Sequence, residues 1–165
     1  MAGKIFGLIS SFITCFFLLS SSFVFADSEL PDATVLDQLP AHTQIKILKD
    51  IIFGNISFLL LQNGKWADYS ESSKYDMNKP FCEFKKAPNQ NFQTLAAGTM
   101  MEIVRTDYSS ETDWTSVQLW TSPDDGNPQQ KPLQAIFCSM GDGNGGDMTL
   151  QILKGLSGQT LTLVK

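Results

Sequence analysis

The chain has 165 residues and a formal net charge of −5, with 12 basic against 17 acidic side chains and a single arginine, Arg105. Phosphate recognition needs clustered Lys and Arg, so this balance argues against nucleic acid and against anionic membrane surfaces as partners. One histidine, His42, and three cysteines are too few for a His/Cys metal cluster of ordinary spacing.

Residues 1–26 read as a secretory signal peptide. Lys4 is followed by a long apolar, serine-rich run, which ends in Val24-Phe25-Ala26 before Asp27. Cleavage is expected after Ala26. An uncleaved anchor is the alternative, because no charge lies between Lys4 and Asp27. Cys15 falls inside this run, and Ile13-Thr14 before it is a poor match to a lipid-attachment box. What remains is the size of one domain and long enough to bury a core.

Residues 27–43 form a polar lead-in with Pro31 and Pro40 and room for one short helical turn. A single β-rich domain is expected over 44–165. QIKIL alternates, with Ile45 and Ile47 on one face, and predicts a short strand. In NISFLLLQNGKWADYS an apolar run meets Asn63-Gly64 and a second run follows. Asn-Gly accepts the positive φ angles of a tight turn, so a hairpin is expected there. FCEFKK predicts a strand whose two lysines mark an exposed end. LAAGTMMEIVRTDY holds a turn near Gly98 and one strand from Met100 to about Thr106. In SVQLWT, Val117, Leu119 and Thr121 oppose Gln118 and Trp120. SPDDGNPQQKP is a loop, LQAIFCSM a strand, and QTLTLV a closing strand.

DMTLQILKG departs from this pattern. Asp147 is a good N-cap, Gly155 a usual stop, and Met148, Ile152 and Leu156 form one apolar stripe with Thr149 and Leu153 beside it. The fold class expected is therefore mainly β. It is an antiparallel sandwich or open barrel with one short C-terminal helix at about residues 147–155.

Loss of Cys15 with the signal peptide leaves Cys82 and Cys138. An exported chain with an even pair predicts a disulfide. Closing a loop of that length contributes roughly 4 kcal/mol in the chain-entropy model. A metal role lacks companion ligands, and a reactive thiol lacks a motif that would lower its pKa.

The segment GDGNGGD places Asp142, Asn144 and Asp147 among glycines, as a weak calcium loop does. Register fails against an EF-hand: Asp147 stands where glycine is needed and Leu153 where glutamate is needed. Asp124 and Asp125 add ligands only if the two loops meet. A flexible turn is the simpler reading, with no metal and no cofactor. Catalysis has equally little support: His42 is the one imidazole base and reads as a surface residue, and GLSG lacks the spacing of a nucleophile elbow.

Aromatic residues carry the binding reading. Trp66, Tyr69, Tyr75, Tyr108, Trp114 and Trp120 lie near turns and strand ends, and exposed aromatics stack on sugars or anchor interfaces. Core packing is the competing role for the whole set. Among the tryptophans Trp120 stands first, because its alternation puts it opposite Val117 and Leu119; Trp66 and Trp114 follow.

The layout resembles small exported proteins of Gram-negative bacteria. The residues concerned are Leu39-Pro40 followed by Ile45 and Ile47, Cys82 to Phe84, Ala97 to Thr99, and Cys138. The resemblance implies a periplasmic or secreted address and carries no activity or site residues. The expected function is a non-enzymatic binding or structural role in the cell envelope, with an envelope protein or glycan as partner and no stable membrane span after cleavage. A small envelope hydrolase without a recognisable motif is the alternative.

Overall fold

The computed structural model describes residues 27–68, 75–76, 78–121 and 131–165. The expected signal peptide with Cys15, and also Tyr69, Asp124 and Asp125, lie outside the described residues. The described chain is mainly β, with antiparallel sheets in a sandwich-like arrangement and one short C-terminal helix.

The strands are β1 (Gln44–Ile47), β2 (Ile51–Ile52), β3 (Phe58–Gln62), β4 (Lys65–Asp68), β5 (Phe81–Lys86) and β6 (Thr94–Leu95). They continue with β7 (Met100–Glu102), β8 (Arg105–Ser110), β9 (Thr115–Trp120), β10 (Leu133–Ser139) and β11 (Leu161–Val164); the helix α1 spans Leu150–Leu156. A large sheet has the order β4-β3-β5-β10-β9-β8, a small one β11-β1-β7, and β2 pairs with β6. One apolar core lies between the two larger sheets. Ile45, Ile47, Met101, Leu161 and Leu163 come from the small sheet; Leu59, Phe84, Val117, Leu119 and Ile136 come from the large one.

Local chemistry sets the register of the large sheet. Asn63 (φ 52°) and Gly64 (φ 71°) form the two-residue turn that pairs Gln62 with Lys65. Because side chains alternate, that pairing decides which face of β3 and β4 is buried. Cys82 and Cys138 are direct cross-strand partners on β5 and β10, and they form a fully buried disulfide with Cα atoms 4.1 Å apart.

The polar lead-in packs as part of this body. Leu36 sits in a short 3₁₀ turn (Leu36–Gln38) and is fully buried, as Leu30 nearly is. The Leu30 N–H donates to the Leu163 carbonyl at 2.9 Å, and Lys154 pairs with both Glu29 and Asp32. These contacts push the Lys154 pKa up, through its bonds to Asp32 and then Glu29. They hold Glu29 below its usual range, through Lys154 and then the Thr162 hydroxyl.

Four local expectations are corrected. The helix starts later than Asp147: Thr149 is the N-cap, its hydroxyl accepting from the Ile152 N–H at 3.4 Å. Thr149 is held extended by its bridge to Val35, and the Thr34 and Asp32 carbonyls accept the N–H groups of Leu150 and Gln151. The buried stripe is accordingly Leu150, Leu153 and Ser157, with Ile152 and Leu156 half-buried, and Gly155 lies inside the helix. The segment 100–110 is two strands, since Met100–Glu102 pairs with β1 and Arg105–Ser110 pairs with β9 in the other sheet. Ile103-Val104 makes the crossing.

Lys86 does not mark an exposed end. It is 8% exposed, and its ammonium donates to the carbonyls of Phe92 (2.6 Å) and Gly54 (3.2 Å) while lying over the rings of Phe92 and Phe53. Burial pushes its pKa down.

The glycine-rich loop is a close-packed junction rather than a free turn. A Cβ on Gly145 would stand 2.1 Å from the Thr112 carbonyl oxygen, and one on Gly141 2.4 Å from that of Asn78. The Asp142 N–H donates to the Asn78 carbonyl and the Gly143 N–H to that of Asp113, each at 2.8 Å. Only glycine lets the backbones approach so closely.

Candidate functional site on the outer sheet face

A sandwich needs one face of each sheet for its core, and the opposite face of the large sheet points away from it. This second face is itself partly covered: Leu60, Phe81 and Ala135 are buried, and Glu83, Lys85, Phe137, Gln118 and Trp120 are half-buried. Strand register lays out that outer face in rows. One row runs Phe58, Lys85, Ala135, Trp120 and Arg105 from β3 to β8. The next runs Leu60, Glu83, Phe137, Gln118 and Asp107.

Trp120 is half-buried on this face, whereas Val117, Leu119 and Thr121 of the opposite parity are buried. Its indole N–H donates to Asp107 Oδ2 at 2.7 Å. The Arg105 guanidinium lies 4.3 Å from the ring centroid and bonds the same Asp107 oxygen at 3.1 Å. The Arg105 and Asp107 side chains are about half exposed, 48% and 52%. Cation–π contact and the shared carboxylate fix the ring's orientation.

Glu83 is the residue that sequence reasoning missed. It sits near the centre of the face between Leu60 and Phe137 and accepts no hydrogen bond from the described residues. Burial pushes its carboxyl pKa up, and Lys85 offsets part of that rise. A half-buried acid without a donor costs stability, and such groups are a mark of functional positions. The signal was present in FCEF: once Cys82 and Phe84 point inward, Glu83 must point outward among the sheet's outer residues.

The other tryptophans do not join this patch. Trp66 lies opposite Leu61, in the inner row with Cys82, and its ring stands 5.2 Å from that of Phe84. It projects from the opposite face to Trp120, is 38% exposed, and lines a recess of about 320 Å³ with Gln62, Asn63, Lys65 and Tyr75 at the hairpin tip. Trp114 belongs to the β8–β9 turn, where its carbonyl accepts the Glu111 N–H. Tyr108 faces inward, and its hydroxyl accepts the Met148 N–H at 2.9 Å.

Asp142, Asn144 and Asp147 are exposed, and the Asn144 amide donates to the Asp142 carbonyl. Among the described residues no three His, Cys, Asp or Glu side chains are placed to share a metal ion. His42 is 85% exposed and its Nδ1 lies 2.9 Å from Glu102 Oε1. On the outer face Glu83 and Asp107 are three strand spacings apart, about 14 Å. Paired-carboxylate glycoside hydrolysis uses separations of roughly 5–9.5 Å, so this pair does not fit that chemistry.

No family model matches the chain, and no curated protein or solved structure matches it. Among the described residues no helix is long and apolar enough to cross a membrane.

Proposed function

We propose that the protein is an exported, non-enzymatic domain of the cell envelope that binds its ligand through the outer face of the large sheet. The observation that carries this reading is Trp120, held in one orientation on the outward face by Arg105 and Asp107. A fixed aromatic flanked by charged groups loses little freedom when a ligand covers it. The buried Cys82–Cys138 disulfide suits an oxidising compartment, and the signal-peptide pattern and the resemblance to exported bacterial proteins point the same way.

Trp120→Ala tests the proposal. Lost anchors of this kind typically cost about 2 kcal/mol or more of binding energy, and a truncated core tryptophan costs about 3–5 kcal/mol of stability. The expected outcome is a folded variant whose co-sedimentation with envelope preparations falls sharply. Unfolding of the variant would make Trp120 a core residue, and a folded variant that sediments like the parent would leave it no binding role.

A further inference from the structure

We infer that the ligand of this face is an uncharged, hydroxyl-rich glycan, held between Glu83 and Lys85 and packed against Phe137 and Trp120. The inference rests on the binding reading above and names the chemistry of the ligand.

Charge is the first argument. Arg105 and Asp107 form an ion pair and Lys85 stands beside Glu83, so each of these charges next to the contact has one of opposite sign beside it, Lys65 lying apart at the β3–β4 hairpin, and neither sign of ligand is favoured there.

The second argument is the pairing of one donor with one acceptor. Glu83 and Lys85 are two residues apart on β5, so they project from the same face about 7 Å apart along the strand. The Lys85 ammonium only donates, and the Glu83 carboxylate, when ionised, only accepts. A ligand amine serves Glu83 but is repelled by Lys85; a ligand phosphate or carboxylate serves Lys85 but is repelled by Glu83. Hydroxyl groups donate and accept, so neighbouring sugar hydroxyls satisfy both. They also give Glu83 the donor that it lacks within the described fold.

Shape is the third. Phe137 lies next to Glu83, and Trp120, which carries Arg105 over its ring, lies diagonally across on the next strand; both are half-buried and Ala135 is buried, so the apolar contact beside the polar pair comes from these two rings. Sugar rings present flat C–H faces that pack on aromatic surface. An extended peptide would instead seek a sheet edge for main-chain hydrogen bonds, and β5 and β10 are interior strands.

The test uses the same co-sedimentation assay with two pretreatments of the envelope preparation. Periodate cleaves vicinal diols of sugars; protease removes envelope proteins. The expected result is at least a tenfold loss of binding after periodate and little change after protease, with neutral oligosaccharides released from the same preparation acting as competitors. Glu83→Gln, which turns one acceptor into a donor, is expected to weaken binding at least tenfold while the variant stays folded. Loss after protease but not periodate would overturn the glycan and leave a protein partner on the same face. Unchanged affinity of Glu83→Gln would remove Glu83 from the contact and overturn the assigned pair. Failure of the untreated parent to sediment at all would defeat the binding reading and this inference with it.

Discussion

Strand β5 has two sides that treat polar groups in opposite ways. Inward, Cys82 is bonded to Cys138, Phe84 is fully buried, and the Lys86 ammonium is enclosed by two carbonyls and two phenyl rings. On the other side, Phe81 is also buried and packs near Phe137, Lys85 lies over Phe58, and Glu83 is half-buried with no donor among the described residues. Lys85 and Lys86 are neighbours of one residue type, yet one is a packed component of the core and the other a rim charge. Burial decides the difference, because a desolvated ammonium must be met by acceptors. Across the described structure no deeply buried side-chain nitrogen or oxygen lacks a partner. Glu83 is no exception: its carboxylate has no protein donor but still reaches solvent, so water meets it and a ligand can replace that water.

Breaking the inner side is expected to have the largest effect. Replacing both Cys82 and Cys138 by alanine releases a 56-residue constraint and is expected to destabilise by about 2–4 kcal/mol in denaturant titration. The outer face is expected to keep its affinity wherever the variant is folded. Loss of affinity in a folded double variant would show that the two sides are not separable.

Lys86→Met comes next. It retains the stem's packing but leaves the Phe92 and Gly54 carbonyls without their donor, an expected loss of roughly 1–3 kcal/mol. A denaturation midpoint equal to the parent's would mean that the cage is filled as well by an apolar chain. The analogous change at Lys85 is expected to stay within about 0.5 kcal/mol, as at other surface positions.

Much of this contrast was legible before the fold was known. Alternation in SVQLW separates Trp120 from Val117 and Leu119, the Asn-Gly turn announces the β3–β4 hairpin, and an even pair of cysteines behind a signal-peptide pattern predicts their bond; the structure has the alternation, the hairpin and the bond. These are local signals, set by side-chain period, backbone angle and redox chemistry. The expectations that failed depend on partners distant in sequence. Asp147 looks like an N-cap until Val35 is seen to hold Thr149 extended. The lysine pair looks exposed until Phe53 and Phe92 close over Lys86. Gly141 and Gly145 look flexible until the Asn78 and Thr112 carbonyls are found against them. The grouping of Glu83, Phe137 and Trp120 comes from strands with the order β5-β10-β9, which no local pattern specifies.

The hairpin that separates the two sides gives a smaller expected effect. Gly64 has φ 71°, where a β-branched residue is strained, so Gly64→Val is expected to lose roughly 1 kcal/mol. Because the turn sets register, the variant is also expected to expose β4 to faster amide exchange than β5. An unchanged midpoint would count against the turn as the determinant.

Smallest in energy, and most direct, is the stability of Glu83→Gln across pH. Burial raises the folded-state pKa of Glu83, so its charged form opposes folding. That cost is present at pH values above the folded pKa and is relieved as pH falls through it and the acid protonates in place. Glu83→Gln is therefore expected to be as stable as the parent or more stable by a few tenths of a kcal/mol at neutral pH, since the site is only half-buried and screened. Any gain should shrink as pH falls through that folded value. A loss of 1 kcal/mol or more at neutral pH would mean that Glu83 has a stabilising partner, and that the outer side of β5 serves the fold as the inner side does.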